Sequence, residues 1–160
     1  MQRTTRTATL FAGAAFALAF QAEPHAGPAP PSPTGPKARV VPGIQIRLAG
    51  TNGESVEAIL EESAAARDFR ALLPLTLTLT DYNATEKISD LPRRLPTEGA
   101  PASIDPEPGD LAYYAPWGNL AIFYKDFGTS RGLVRLGRLS RIPDAFRRSG
   151  LVSVTIEAVP

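Results

Sequence analysis

A chain of 160 residues with 17 basic and 16 acidic side chains has a formal charge of +1. That balance excludes the one-signed surface on which nucleic-acid binding rests. It contains no cysteine and one histidine, which excludes a disulfide framework, a thiolate nucleophile and Cys- or His-rich metal centres. Its length fits one folded domain.

The first 22 residues read as a signal peptide. Arg3 and Arg6 open it without an acid, Leu10–Phe20 is an unbroken apolar run of 11 residues, and Ala19, Ala22 and Ala26 supply small residues for cleavage. Eleven residues are too few to cross a hydrocarbon layer that needs about 20. The expected location is therefore periplasmic or secreted, with no stable membrane span in the mature form. Without residues 1–22 the chain keeps 15 basic and 16 acidic residues, so the basic character is partly a property of the leader. Residues 23–42 are rich in Pro, Ala and Gly and read as an extended linker. The sole histidine, His25, lies there without the packed neighbours that would fix its tautomer or pKa.

The domain is expected over residues 43–160. Ile44, Ile46 and Leu48 alternate with polar neighbours, Thr51-Asn52-Gly53-Glu54 supplies a turn, and Val56–Leu60 completes a hairpin. From Glu61 to Leu73 the apolar period becomes helical, and Pro74 ends it. Leu75–Thr80 alternates leucine and threonine, which predicts a strand with leucines on the core side. Asp81–Asp90 predicts a bend and a short strand, and Leu91–Pro108, with five prolines, predicts a loop. Leu111–Ala115 and Leu120–Tyr124 flank Pro116-Trp117-Gly118-Asn119 as an aromatic hairpin holding three of the four tyrosines and the only tryptophan. In each strand one aromatic set is expected to face the core and the other outward. Lys125–Gly132 is turn-like, Leu133–Leu139 is a strand with a bulge or close backbone contact at Gly137, Ile142–Arg148 holds one helical turn, and Leu151–Val159 closes the chain. The fold class is mainly β: a closed or nearly closed barrel of short strands with one or two short helices.

Leu73–Tyr82 (Leu-Pro-Leu-Thr-Leu-Thr-Leu-Thr-Asp-Tyr), Glu86–Ile88, Gly109–Tyr124 and Leu133–Gly137 together resemble the bacterial cyclophilin-like domain family, with Tyr-Ala-Pro-Trp-Gly-Asn at Tyr114–Asn119 the most specific segment. The resemblance implies an eight-stranded antiparallel cyclophilin-type barrel. True cyclophilin isomerases pair a Phe-His-Arg segment with a later Gln-Gly-Gly-Asp segment, and this chain has neither. The resemblance implies the fold and no isomerase residues.

Function is expected in an aromatic groove that takes a peptide or small ligand. Tyr82, Tyr114, Trp117 and Tyr124 would supply contact area, and Glu86, Lys87 and Asn119 polar anchors. Trp117 either caps the barrel or lines that groove. Glu86 and Lys87 beside Tyr82 read either as a cleft carboxylate oriented by tyrosine hydroxyls or as a solvated ion pair at a barrel end, the commoner fate of exposed charges. Two alternatives stand beside this reading. One is a divergent prolyl isomerase using Arg131 as its donor; the other is a non-catalytic envelope module that meets a partner through a strand edge. No cofactor, metal or nucleic acid is expected. Asp126-Phe127-Gly128 reads as a turn.

Overall fold

Period-two alternation builds most of the strands in the computed structural model, which describes residues 44–160. The expected leader, the linker and His25 lie outside the described residues. β1 (Ile44–Gly50) buries Ile46 and Leu48, and β2 (Ser55–Leu60) buries Val56, Ala58 and Leu60. In the turn between them Gly53 has φ 80°, and the Asn52 side-chain oxygen accepts from the Glu54 N–H at 3.1 Å.

Helix α1 (Ala64–Arg70) is shorter than the helical period suggests. Ser63 starts it: its backbone is extended, and its hydroxyl accepts from the Ala66 N–H at 3.1 Å. Glu61 and Glu62 are therefore part of the exit from β2. At the other end, the N–H groups of Leu72 and Leu73 reach back three residues, to Phe69 and Arg70, tightening the last turn before Pro74. The helix buries Ala65, Ala66 and Phe69.

β3 (Leu75–Tyr82) buries Leu77 and Leu79 and exposes Thr76, Thr78 and Thr80, as its alternation predicts. A turn through Asn83 (φ 49°) and Ala84 (φ 53°) leads to β4 (Glu86–Asp90), with the Thr85 N–H on the Tyr82 carbonyl at 3.1 Å. Asn tolerates the left-handed region, whereas an alanine there carries a Cβ penalty of about 1–2 kcal/mol. Ala84→Gly removes that penalty and adds glycine's entropy cost. A net stabilisation of about 0.5–1 kcal/mol is expected, read as a higher urea midpoint at unchanged slope.

The proline-rich loop carries a two-residue strand, β5 (Ser103–Ile104), that sequence periodicity does not mark. β6 (Asp110–Tyr114) and β7 (Asn119–Phe123) form the aromatic hairpin, whose turn closes through the Gly118 N–H on the Tyr114 carbonyl at 2.8 Å. β8 (Ser130–Arg131), also unmarked in the sequence, pairs with β5. β9 (Leu133–Leu139), a 3₁₀ turn (Asp144–Arg147) and β10 (Val152–Ala158) complete the chain.

Eight strands close into an antiparallel barrel in the order β1-β10-β3-β4-β7-β6-β9-β2. Closure leaves none of these eight strands a free edge. Gly137 shows both expected features. The register of β9 against β6 steps from Leu111↔Gly137 to Ala112↔Arg135, so Leu136 is an extra bulged residue. The backbone of β2 also passes directly over Gly137. Among the described residues, no helix is long and apolar enough to cross a membrane.

The described residues form two apolar clusters. The larger fills the barrel interior, with Ile46, Leu48, Leu79, Leu111, Tyr113, Leu120, Ile122, Leu136 and Ile156, and is joined by Phe69 of α1 and by Phe146. The smaller lies on the outer face of β4, β7, β6 and β9: Ala112, Ala121, Phe123 and Leu133, with Ile88, Ile104 and Tyr114 against it. The aromatic sets face opposite ways as alternation predicts, but this wall is covered on both sides, so the outward set is buried as well. Tyr113 faces inward and is 1 % exposed, whereas Phe123 faces outward and is equally buried. Double burial is why these strands read as near-continuous apolar runs.

Candidate functional site

Residues directly opposite across a ladder share a face. Tyr82 is opposite Glu86, and Glu86 opposite Phe123. Farther along the same wall Asn119 is opposite Tyr114, and Tyr114 opposite Leu133. These two rows bound a cavity of about 140 Å³ on the outer face, with Ile88 and Ala121 between them. The hairpin turn carries Trp117 to the cavity, where its ring meets Tyr82 edge-to-face at 5.5 Å and Tyr114 at 5.3 Å. Phe127, from the turn after β7, lies 5.8 Å from Phe123 at 45° and adds a further wall.

Two polar groups stand out in this apolar setting. Glu86 is 8 % exposed and Asn119 3 % exposed, and among the described residues neither Glu86 Oε2 nor Asn119 Oδ1 has a hydrogen-bond partner. Orphaned buried acceptors are uncommon in folded proteins, because desolvation without compensation costs about 1–3 kcal/mol each. Burial pushes the Glu86 carboxyl up to about 7.

A raised carboxyl pKa sets the sign of a pH effect. Between the ordinary value of 4.5 and about 7 the folded chain holds a proton that the unfolded chain releases. Glu86 therefore contributes its full stability below pH 4.5, and that contribution declines as pH rises to about 7 and is absent above. A shift of this size is worth at most about 3 kcal/mol, and water at the cavity mouth reduces it to about 1–2 kcal/mol. Residues 44–160 contain no histidine, so this window is free of imidazole titration in the domain. Urea titrations at pH 5 and pH 7.5 are expected to show the decline in the native chain and a flat response in Glu86→Gln.

The eight candidate residues separate in the structure. Tyr82, Glu86, Tyr114, Trp117 and Asn119 line the cavity. Lys87, one residue from Glu86, points to the opposite face of β4 and is fully buried, so the two form no solvated ion pair. Its Nζ instead donates to the carbonyls of Arg148 (2.6 Å) and Gly150 (3.1 Å) and lies 3.0 Å from Asp81 Oδ1. Tyr124 also lies outside the cavity, its hydroxyl donating to Asp81 Oδ1 at 2.7 Å. Burial pushes that phenol up to about 12, with the Asp81 bond acting in the same direction. The Asp81 carboxyl is held below its usual value, chiefly by the Tyr124 hydroxyl and then by Lys87. Arg131 is exposed on β8 and does not line the cavity. Phe123, Phe127, Ile88 and Ala121 are wall residues the sequence reading missed. The available signal was Phe127, a large apolar side chain in an otherwise polar turn.

A larger, open groove of about 720 Å³ runs along β2, β9 and β6. Its fully buried charged group, Asp110, accepts from Arg135 Nε (2.8 Å), Arg138 Nε (3.0 Å) and the Glu107 N–H (3.0 Å). That carboxylate is completely engaged in holding β6 to β9. The unmet polar groups are at the smaller cavity, and size alone does not outweigh them.

Comparison with known proteins agrees with this architecture. The solution structure of the hypothetical protein AF2241 from Archaeoglobus fulgidus is similar, with a TM-score of 0.53 and 19 % identity, over 73 % of this chain and 95 % of that one. At that identity the likeness speaks to the fold alone. No curated protein matches the chain. A family model described as the cyclophilin-like family matches residues 50–157, and the chain belongs to that family.

Proposed function

We propose that this chain is an exported cyclophilin-like barrel that binds a peptide or small ligand at the outer-face cavity between Glu86 and Asn119. One observation carries the reading: two buried acceptors, Glu86 Oε2 and Asn119 Oδ1, lack partners in a cavity walled by aromatic rings. A ligand that donates to them offsets a desolvation cost the folded protein already bears. The leader pattern of residues 1–22 supports export to the periplasm or beyond.

Trp117 is 56 % exposed, so its ring is available to a ligand. Trp117→Ala loses two edge-to-face contacts, a cost of about 1–2 kcal/mol to the fold. Thermal-shift screening of the full chain against a panel of short peptides and small polar molecules tests the proposal. Ligands that raise the midpoint of the native chain are expected to lose their effect on folded Trp117→Ala. A panel whose hits are indifferent to that substitution puts the binding site elsewhere.

A further inference from the structure

The unmet polar chemistry of the cavity is of one kind. Its two orphaned buried atoms are both oxygen acceptors, one on a carboxyl group and one on an amide. Among the described residues no lysine or arginine lines it: Lys87 turns inside the barrel, Arg131 is exposed on β8, and Arg94, beside the Trp117 turn, donates to the carbonyls of Ala115 and Pro116. Five aromatic side chains make up half of the remaining wall, and ring faces carry negative potential.

Each class of guest meets this lining differently. An anion meets a carboxyl and ring faces with no cationic partner. A purely apolar guest leaves both oxygens desolvated and unbonded. A guest with N–H donors and a positive charge satisfies the oxygens and gains from the rings, as in the aromatic recognition of organic cations. Size narrows the choice further. About 140 Å³ is room for four or five waters, well below the ~300 Å³ at which whole drug-sized ligands are held. The cavity suits a head group whose remainder passes the exposed edge of Trp117.

Resting on the ligand-binding reading above, we infer that the cavity recognises an organic cation, a protonated amine or guanidinium head group, between Glu86 and Asn119 beneath Trp117. Glu86 supplies the countercharge, Asn119 Oδ1 accepts a further N–H, and Tyr82, Tyr114 and Trp117 present ring surface.

Binding of a cation favours the ionised carboxyl, so it releases a proton wherever Glu86 is protonated beforehand. The titratable groups sharing the cavity are the phenols of Tyr82 and Tyr114. Tyr124, packed behind the sheet, feels the Glu86 charge, and Lys87 and Asp81 face the barrel side as a mutually paired set. The carboxyl is thus the group that changes charge between pH 5.5 and pH 8.

The test is calorimetric titration of the full chain with four probes of similar length: butylammonium, methylguanidinium, butanol and butyrate. Either or both cations are expected to bind, tenfold or more tighter at pH 8 than at pH 5.5, with butanol and butyrate at least tenfold weaker. The two cations distinguish an amine-type from a guanidine-type head group. Glu86→Gln, an isosteric change that adds no volume, is expected to lose at least tenfold in cation affinity and all pH dependence. Butanol or butyrate binding as tightly as the cations overturns the cation assignment; where that binding is also lost in Trp117→Ala, the cavity stands as a binding site for another chemistry. No binding by either cation to the native chain at pH 8 also overturns it, and leaves the Trp117→Ala screen to decide whether the cavity binds anything.

Discussion

Lys87→Met is expected to destabilise the domain by about 3–5 kcal/mol. The native ammonium is 0 % exposed, and its three N–H donors face three acceptors, Asp81 Oδ1 and the carbonyls of Arg148 and Gly150. A buried ion satisfied at every position costs the fold little net energy, whereas its removal strands every group that had turned towards it. The two carbonyls, on the chain entering β10, lose the side-chain donor they share. Asp81 is cushioned, since it keeps the Tyr124 hydroxyl and partial contact with solvent. Adding Asp81→Asn to Lys87→Met is therefore expected to recover only about 1 kcal/mol, the charge penalty alone. Urea denaturation followed by circular dichroism measures both variants. A loss below about 1 kcal/mol in Lys87→Met would falsify the view that this ammonium ties the β3–β4 hairpin to the entry of β10.

Gly137→Ala is expected to cost about 3 kcal/mol or more, at the upper end for an overpacked core. An added Cβ sits 2.8 Å from the Leu60 Cα and closer still to the Ile59 carbonyl oxygen. Both are backbone atoms of a paired strand, and neither moves aside as the end of a flexible side chain does. The strands would have to part where β2 meets β9, a seam of only three residue pairs, Ala58↔Leu139, Ile59↔Arg138 and Leu60↔Gly137. Faster amide exchange at Glu61 and Ser140, whose N–H groups extend that seam, is expected alongside the lower urea midpoint. Gly132→Ala is a useful contrast: the added Cβ would press on the Pro116 ring and strain a φ of 75°, but the β2–β9 seam would be untouched.

The legible parts of this fold are those with one wet and one dry face. Leu75–Thr80 separates leucine from threonine because the barrel core lies on one side of β3 and water on the other. β6 and β7 defeat the same logic, since a wall buried on both faces has no polar set to mark the outside. The strands β5 and β8 are two residues long, too short for any period to show. Alternation also explains how the candidate site divided. Glu86 and Lys87 are neighbours in sequence and therefore opposite in space, and the same parity separates Phe123 from Tyr124. Trp117 and Asn119 were visible because Pro-Trp-Gly-Asn marks a turn, and turns present large side chains to whatever lies beside them. The unmet state of the Glu86 and Asn119 oxygens was not legible, because a missing hydrogen bond is a property of three-dimensional surroundings.

The short β2–β9 seam also bears on the order of events in time. The local hairpins, β1–β2, β3–β4 and β6–β7, each join neighbouring stretches of chain and form on the microsecond scale of such units. The seam instead brings residues 58–60 to residues 137–139 across most of the domain. Long-range closures of this kind place all-β domains among slow folders, in milliseconds to seconds. Until the second partner arrives, β2 is paired to β1 alone and shows an open edge. The edge of β2 in a newly made chain therefore stays open to pairing with its neighbours until three residue pairs lock.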